Sequence, residues 1–287
     1  MKLNPPKFLE ILEEVCNEAP RGAYEYRHNP SSATMKTPGG RVVGACMRQL
    51  YYKATGEPES EKKEFTNRLQ AGFGNAIHDW ITIRLSKSKK ITIIPEATGK
   101  VFVDGLSREV SFRLDGLVTH KGEAGCLEIK TVQGYGLQRM IKEGGPKESD
   151  LLQVLCYFAT NENIQWASLV YVARDSGYRA EYHVWRDDAG RFMYRSTLPE
   201  GPIKFIEDLS FTAIKERWAE LEVKINAGEV PARDYKVVFN KEGAIVDKRV
   251  KHGVEYKTSF RCSYCAYQTT CWSAPGAKED ATQIPGA

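Results

Sequence analysis

The alternation of apolar and polar positions changes period several times along the chain. "PPKFLEILEEVCNEA", Pro5 to Ala19, sets Phe8, Leu9, Leu12 and Val15 at helical spacing behind two prolines that suit a helix start. Residues 19–45 are rich in Gly, Pro and Ser and read as loop. "CMRQLYYKATG" reads as a short helix or turn. A second helix is expected from about Asn67 to Ser86, with Phe73, Ile77, Trp80, Ile81 and Leu85 as its buried stripe. The period then drops to two. "ITIIPE", "KVFVDG", "REVSFRLDGLVTH" and "GCLEIKTV" are short, β-branched runs parted by Gly or charged turns, and they predict four strands.

"ESDLLQVLCYFAT" returns to helical spacing with a wide apolar stripe, and "WASLVYVAR" and "YRAEYHVWR" predict two more strands. A long helix is expected from near Gly201, with Pro202 in its first turn, to near Gly228. From Val230 the pattern suggests a hairpin leading into a cysteine-rich segment, followed by a loose tail over 273–287. This order predicts an α/β fold, a mixed central β-sheet flanked by helices. Residues 124–173 fit a right-handed parallel crossover.

Composition changes this picture little. The 287 residues allow one large domain or two small ones with a sizeable core, and 41% apolar against 27% charged is ordinary for a soluble chain. A net charge of +4 permits a nucleic-acid partner without arguing for one. No apolar run approaches the roughly 20 residues needed to span a bilayer. The first ten residues lack the apolar core of a secretory signal, so a cytoplasmic protein with no membrane partner is expected.

The candidate chemistry lies in the strands. In "CLEIKT", extended geometry puts Glu128 and Lys130 on one face and Leu127 and Ile129 on the other. A half-buried acid and amine must pair or bind something. Asp115 stands in the preceding strand, thirteen residues before Glu128, and a turn between antiparallel strands would bring the two carboxylates together. Paired carboxylates raise one pKa or recruit a cation, and oxygen donors suit Mg²⁺ or Mn²⁺. Such an ion can hold a phosphate and acidify water, with Lys130 steadying the developing charge.

Seven cysteines, at 16, 46, 126, 156, 262, 265 and 271, are an odd count for disulfides. "CSYCAYQTTC" spaces Cys262, Cys265 and Cys271 as C-x2-C-x5-C, which suggests metal ligation completed by a fourth ligand, a zinc site or an iron–sulfur cluster. Cys16, Cys126 and Cys156 lie in apolar settings and read as buried thiols.

"RLDG" and "EIKT" resemble the acidic and E-x-K elements of the PD-(D/E)xK nuclease superfamily, with Leu114 where that motif usually has proline. "GNAIHDW" with His78, and "QVLCY" with Gln153 and Tyr157, match the order of its RecB-like branch. "CMRQLYY" and "INAGEVPAR" resemble segments of its iron–sulfur members, the CRISPR-associated exonucleases of the Cas-four family and the AddB nuclease domain.

This resemblance, running from about residue 41 to 272, implies a restriction-endonuclease-like core over 67–228 within a single nuclease domain of 1–287. It implies that His78, Asp115, Glu128 and the Ile129 carbonyl bind Mg²⁺ or Mn²⁺, and that Lys130, Gln153 and Tyr157 complete the catalytic set. It also implies a 4Fe–4S cluster on Cys46, Cys262, Cys265 and Cys271. That cluster would staple segments 41–60 and 230–272 across the 215 residues between Cys46 and Cys262. The implied partner is DNA, as single strands or frayed ends, with CRISPR adaptation or recombination proteins as associates.

Arg48, Tyr51, Tyr52, Arg139 and Lys142 are candidates to guide the strand, and Thr131 to Gly145 could border its path. The competing expectations are a DNA-end-binding component with weak or vestigial cleavage, and a zinc-stapled α/β domain whose acids form surface pairs.

Overall fold

The structure, a computed structural model, describes residues 26–61, 65–239, 248–251, 254–273 and 282–283. The helix expected over Pro5–Ala19, with Cys16, lies outside the described residues, as does most of the tail. Residues 26–45, expected as loop, hold two short antiparallel strands, β1 (Thr34–Lys36) and β2 (Val42–Gly44). Helix α1 (Met47–Ala54) follows, and then α2 (Phe65–Leu85).

A seven-stranded sheet comes next: β3 (Thr92–Val101), β4 (Val110–His120) and β5 (Glu123–Val132), then β6 (Trp166–Ala173), β7 (Arg179–Arg186), β8 (Phe192–Leu198) and β9 (Glu200–Phe205). Its spatial order is the sequence order. Every pairing is antiparallel except β5 with β6, which run parallel. Parallel neighbours need a long connection. Here it carries α3 (Gly134–Glu143), in the segment expected to border the strand path, and α4 (Glu148–Thr160). Helix α5 (Phe211–Ala227) follows the sheet, starting at the Ser210 cap and ending at Gly228, whose φ of 68° suits glycine.

Three expectations are corrected. "ITIIPE" runs without a break into Lys100 and Val101 of "KVFVDG" as one strand, which ends there; β3 is the sheet edge, and an edge tolerates Pro95. The segment from Gly201 is not helical: Phe192–Phe205 forms the β8–β9 hairpin, with Pro202 on the other edge, and α5 starts ten residues later than expected. The stripe of α2 is also displaced. Gly74 and Thr82 are buried, and Ile81 and Leu85 pack on β5, whereas Phe73 and Trp80 are exposed.

Helix α4 determines the core. Every residue from Leu151 to Phe158 is buried, between the sheet on one side and Ala33, Met35, Val43, Ile214 and Trp218 on the other. A helix enclosed all round must be apolar nearly all round. The polar side chains of this buried stretch, Gln153 and Tyr157, therefore need partners within the protein. On the opposite face of the sheet, Leu127 and Ile129 pack with Ile81 and Leu85 of α2.

Helix α1 and the cysteine segment meet beside α5. Met47, Leu50, Tyr51 and Tyr52 of α1 pack with Leu221, Tyr267 and Cys271. The hairpin expected after Val230 is present as β11 (Lys248–Lys251) with β12 (Val254–Lys257), preceded by β10 (Val238–Phe239). Short helices α6 (Phe260–Ser263) and α7 (Gln268–Ser273) carry the cysteines, and β13 (Thr282–Gln283) pairs in parallel with β10. A buried knot ties residue 28 to α5. Glu222 lies 2.9 Å from His28 Nε2 and accepts from Ser107 N, Ser107 Oγ and Arg108 N at 2.7–2.9 Å. Among the described residues no helix is long and apolar enough to cross a membrane.

Candidate active site

The site begins where two neighbouring strands part. β4 and β5 are paired from His120↔Glu123 to Gly116↔Leu127, and the next step would set Asp115 against Glu128. There the ladder stops. Beyond it β4 stays with β3 and β5 stays with β6. The side-chain alternation of β4 inverts at the same point. Leu114 packs in the cluster containing α4, and Val118, four residues on, packs in the cluster containing α2. Strict alternation would keep both on one face. Across from Asp115, Glu96 takes a left-handed backbone with φ 49°. Asp115 thus sits at the kink, in the plane of the opened sheet.

The gap left by β4 is filled by side chains. Ile129 N–H, with no strand partner there, donates to Asp115 Oδ2 at 2.7 Å. The N–H and C=O of one extended residue point to the same edge, so the Ile129 carbonyl also faces the gap. His78 reaches it from α2, with Nδ1 3.3 Å from Asp115 Oδ1. A Cβ on Gly74 would stand 3.0 Å from Thr131 Oγ1, so a larger residue there would press α2 away from β5.

Glu128 points to the other face, toward α4. Its Oε1 lies 2.8 Å from Lys130 Nζ and accepts from Gln153 Nε2 at 2.9 Å, and its Oε2 lies 2.9 Å from the Tyr157 hydroxyl. Lys130 also donates to Gln153 Oε1 at 2.7 Å, and Gln153 Nε2 reaches Tyr157 at 2.6 Å. The hydroxyl carries one proton and has a second acceptor, Arg113 O, at 3.1 Å. Gln153 and Tyr157 are one helical turn apart, which lets both converge on one carboxylate.

The electrostatics follow from this enclosure. Burial pushes the Glu128 carboxyl above its ordinary range; Lys130 pulls it down and the Asp115 charge adds to the rise. Burial alone would lower the Lys130 ammonium, but Glu128 and then Asp150 hold it above its ordinary value. Lys130 therefore stays charged through neutral pH. Burial, followed by the Glu128 charge, drives the Tyr157 hydroxyl well up, so it remains a donor.

All six side chains expected at the site line one open cleft of about 1080 Å³, together with Ile129. Its outer wall, which sequence reasoning missed, adds Lys53, Lys100 and Arg113. Among the described residues no three His, Cys, Asp or Glu side chains converge closely enough to form a metal cage by themselves. His78 with Asp115, and Glu128 with Lys130, form two adjoining pairs.

The cysteines gather at the other end of α1. Cys46, Cys262, Cys265 and Cys271 are free thiols. Burial pushes the Cys262 thiol up to about 12, with charges on Cys46, Cys265 and Cys271 adding to the rise. Burial likewise takes Cys265 to about 11. Arg233 Nε donates to Cys271 Sγ at 3.3 Å, a contact that suits an anionic sulfur. Asp234 accepts from Met47 N at 2.6 Å and joins the two segments. Cys126 and Cys156 are fully buried, as expected.

The strand-guiding residues divide. Arg48, Tyr51 and Tyr52 are buried between α1 and the cysteine segment, where Arg48 donates to Pro231 O at 2.6 Å. They are packing and anchoring groups, a correction to their expected role. Arg139 and Lys142 are exposed on α3.

No protein-family model matches the chain, and no curated protein matches it. Among solved structures it is similar to SSO0001, at 14% identity and a TM-score of 0.49, over 93% of this chain and 96% of that one. It is also similar to an alkaline exonuclease from Laribacter hongkongensis, at 22% identity and a TM-score of 0.41, over 63% of this chain and 80% of that one.

Proposed function

We propose that the chain is a metal-dependent deoxyribonuclease that hydrolyses phosphodiester bonds in single strands or frayed DNA ends. One observation carries this reading: Asp115, Glu128 and Lys130 meet where the sheet splits, with His78 on one side and Gln153 and Tyr157 on the other, all facing an open cleft.

The donors fit a hard divalent cation. Asp115, Glu128 and the Ile129 carbonyl offer oxygen, and His78 offers an imidazole that suits Mn²⁺ better than Mg²⁺. When bound, the cation supplies Lewis acidity toward the phosphate and lowers the pKa of water. The protein's own residues do the rest. Ile129 N–H and His78 fix the rotation of Asp115. Gln153 and Tyr157 hold Glu128 in one orientation. The charged Lys130 is placed to steady negative charge that grows on the phosphate as water adds and the P–O bond breaks.

Lys130→Ala should still bind DNA and lose cleavage by about a thousandfold. Digestion of 5′- and 3′-labelled single and double strands, with and without Mn²⁺, reads this directly. Undiminished cleavage by the variant would remove the mechanism.

A second reading is a DNA-end-binding component with vestigial cleavage. It is favoured by the hydrogen bonds that already occupy both Glu128 oxygens. Purified protein that binds ends and leaves labelled DNA uncut in Mn²⁺ would establish it.

We also infer that Cys46, Cys262, Cys265 and Cys271 hold a 4Fe–4S cluster, supported by their spacing in the sequence, the packing of Cys265 and Cys271 against the helix that Cys46 precedes, and a guanidinium on Cys271. Iron and sulfide content, with visible absorption, separate this from zinc. The motif resemblance points to CRISPR adaptation, recombination or phage DNA processing as the setting.

A further inference from the structure

A second groove, of about 1140 Å³, adjoins the cleft. Thr131, next to Lys130, lines both, so the two are continuous along β5. Helix α2 borders both as well, through His78 in the cleft and Gln70 in the groove, about 12 Å apart along the helix. One wall is α3, and the opposite wall is the cysteine segment around Cys265.

Three aromatic rings face this groove and are largely solvent-exposed: Tyr135 at 78%, Phe260 at 71% and Tyr264 at 71%. Single exposed apolar residues are ordinary, but three around one channel are not. Phe260 and Tyr264 lie with ring centroids 4.5 Å apart, forming one broad apolar surface.

The charge is complementary to a polyanion. Lys147 and Arg174 border the groove, and Lys147 has no carboxylate partner among the described residues. Its two carboxylates are already engaged: Glu143 by Arg139 at 2.6 Å and Glu61 by the Thr269 N–H at 3.1 Å.

We propose that this groove is a strand-binding subsite for single-stranded DNA. Bases stack on Tyr135 and on the Phe260–Tyr264 pair, and phosphates lie on Lys147 and Arg174 as the strand passes Thr131 into the cleft. Rings accept any base face and cations any phosphate, so the subsite is indifferent to sequence. Its identity as a path to the reacting phosphate rests on the nuclease reading above. The cysteine segment then has a direct part in holding substrate.

The test is binding of fluorescein-labelled dT6 and dT20 by anisotropy in EDTA, where no cleavage intervenes. The full chain is compared with Phe260→Ala/Tyr264→Ala and, on a separate element, Tyr135→Ala. These side chains are exposed, and thermal melts establish that each variant is folded. The parent should prefer dT20 to dT6, and each variant should shrink that preference by about tenfold. An unchanged preference in both variants, or equal binding of a blunt 20-base-pair duplex, would overturn the proposal. Cleavage in Mn²⁺ is scored separately. If the preference is present and the variants lose it while no DNA is cut, the subsite stands and the nuclease reading falls.

Discussion

The carboxylate site and the cysteine site are built in opposite ways. At the first, the members bind one another: Glu128, Lys130, Gln153 and Tyr157 form a closed set of hydrogen bonds. At the second, the thiols are held through their neighbours, with Arg233 on Cys271 and Asp234 on the amide beside Cys46. Chemistry accounts for the difference. A buried carboxylate or amide left unpartnered is costly, so the folded chain must satisfy it internally. A thiol behaves as a small apolar group and needs no partner until a metal claims it. The first site is therefore organised by folding alone, whereas folding leaves the thiols of the second unbonded to one another.

Three perturbations test this contrast. The largest effect should come from Glu128→Gln, which keeps the shape but removes the charge facing Lys130. Cleavage should fall about a thousandfold, with the visible spectrum unchanged. Retained cleavage would show that the closed set is structural only. Next is Cys265→Ser, which should lose iron and visible absorption and cost of order 3 kcal/mol, or about 6 °C in Tm. A variant that melts with the parent would show that the second site is also finished without a ligand.

The smallest effect should come from Glu222→Gln in the His28 knot, remote from both sites, at about 2 kcal/mol near neutral pH. Burial works against the Glu222 charge, but the Ser107 amide, His28, the Ser107 hydroxyl and the Arg108 amide hold its pKa below the usual range. Burial also lowers His28. Both groups resist protonation when folded, so each contributes stability above its unfolded pKa and loses it as pH falls. Only the Glu222 part is absent from the variant, so the gap between parent and variant in urea melts should narrow as pH falls through the carboxylate range. A constant gap from neutral pH down through the carboxylate range would contradict that account.

Much of this was legible from local pattern. The strands from Val110 to Val132 and helix α4 follow from period and branching, and helix α5 ends at Gly228 as expected. The elements misread were those whose character depends on neighbours. Phe192–Phe205 carries a Gly-Pro pair that resembles a helix start, yet the free edge of β7 drew it into the sheet. Phe73 and Trp80 of α2 are apolar without being core, because the sheet meets the helix along Ile81 and Leu85 instead. Arg48, Tyr51 and Tyr52 carry nucleic-acid chemistry on paper, but the returning C-terminal segment covers them.

Which side chains can do chemistry, and in what order they occur, is already written in the primary structure, since residue type and spacing are local properties. Tertiary structure alone decided that β4 and β5 separate at Asp115 and Glu128, that α4 is enclosed so that Gln153 and Tyr157 must turn to Glu128, and that the cysteine segment closes a groove against α3. Each of these depends on what lies across a gap in space, and burial, pairing and charge are decided there rather than along the chain.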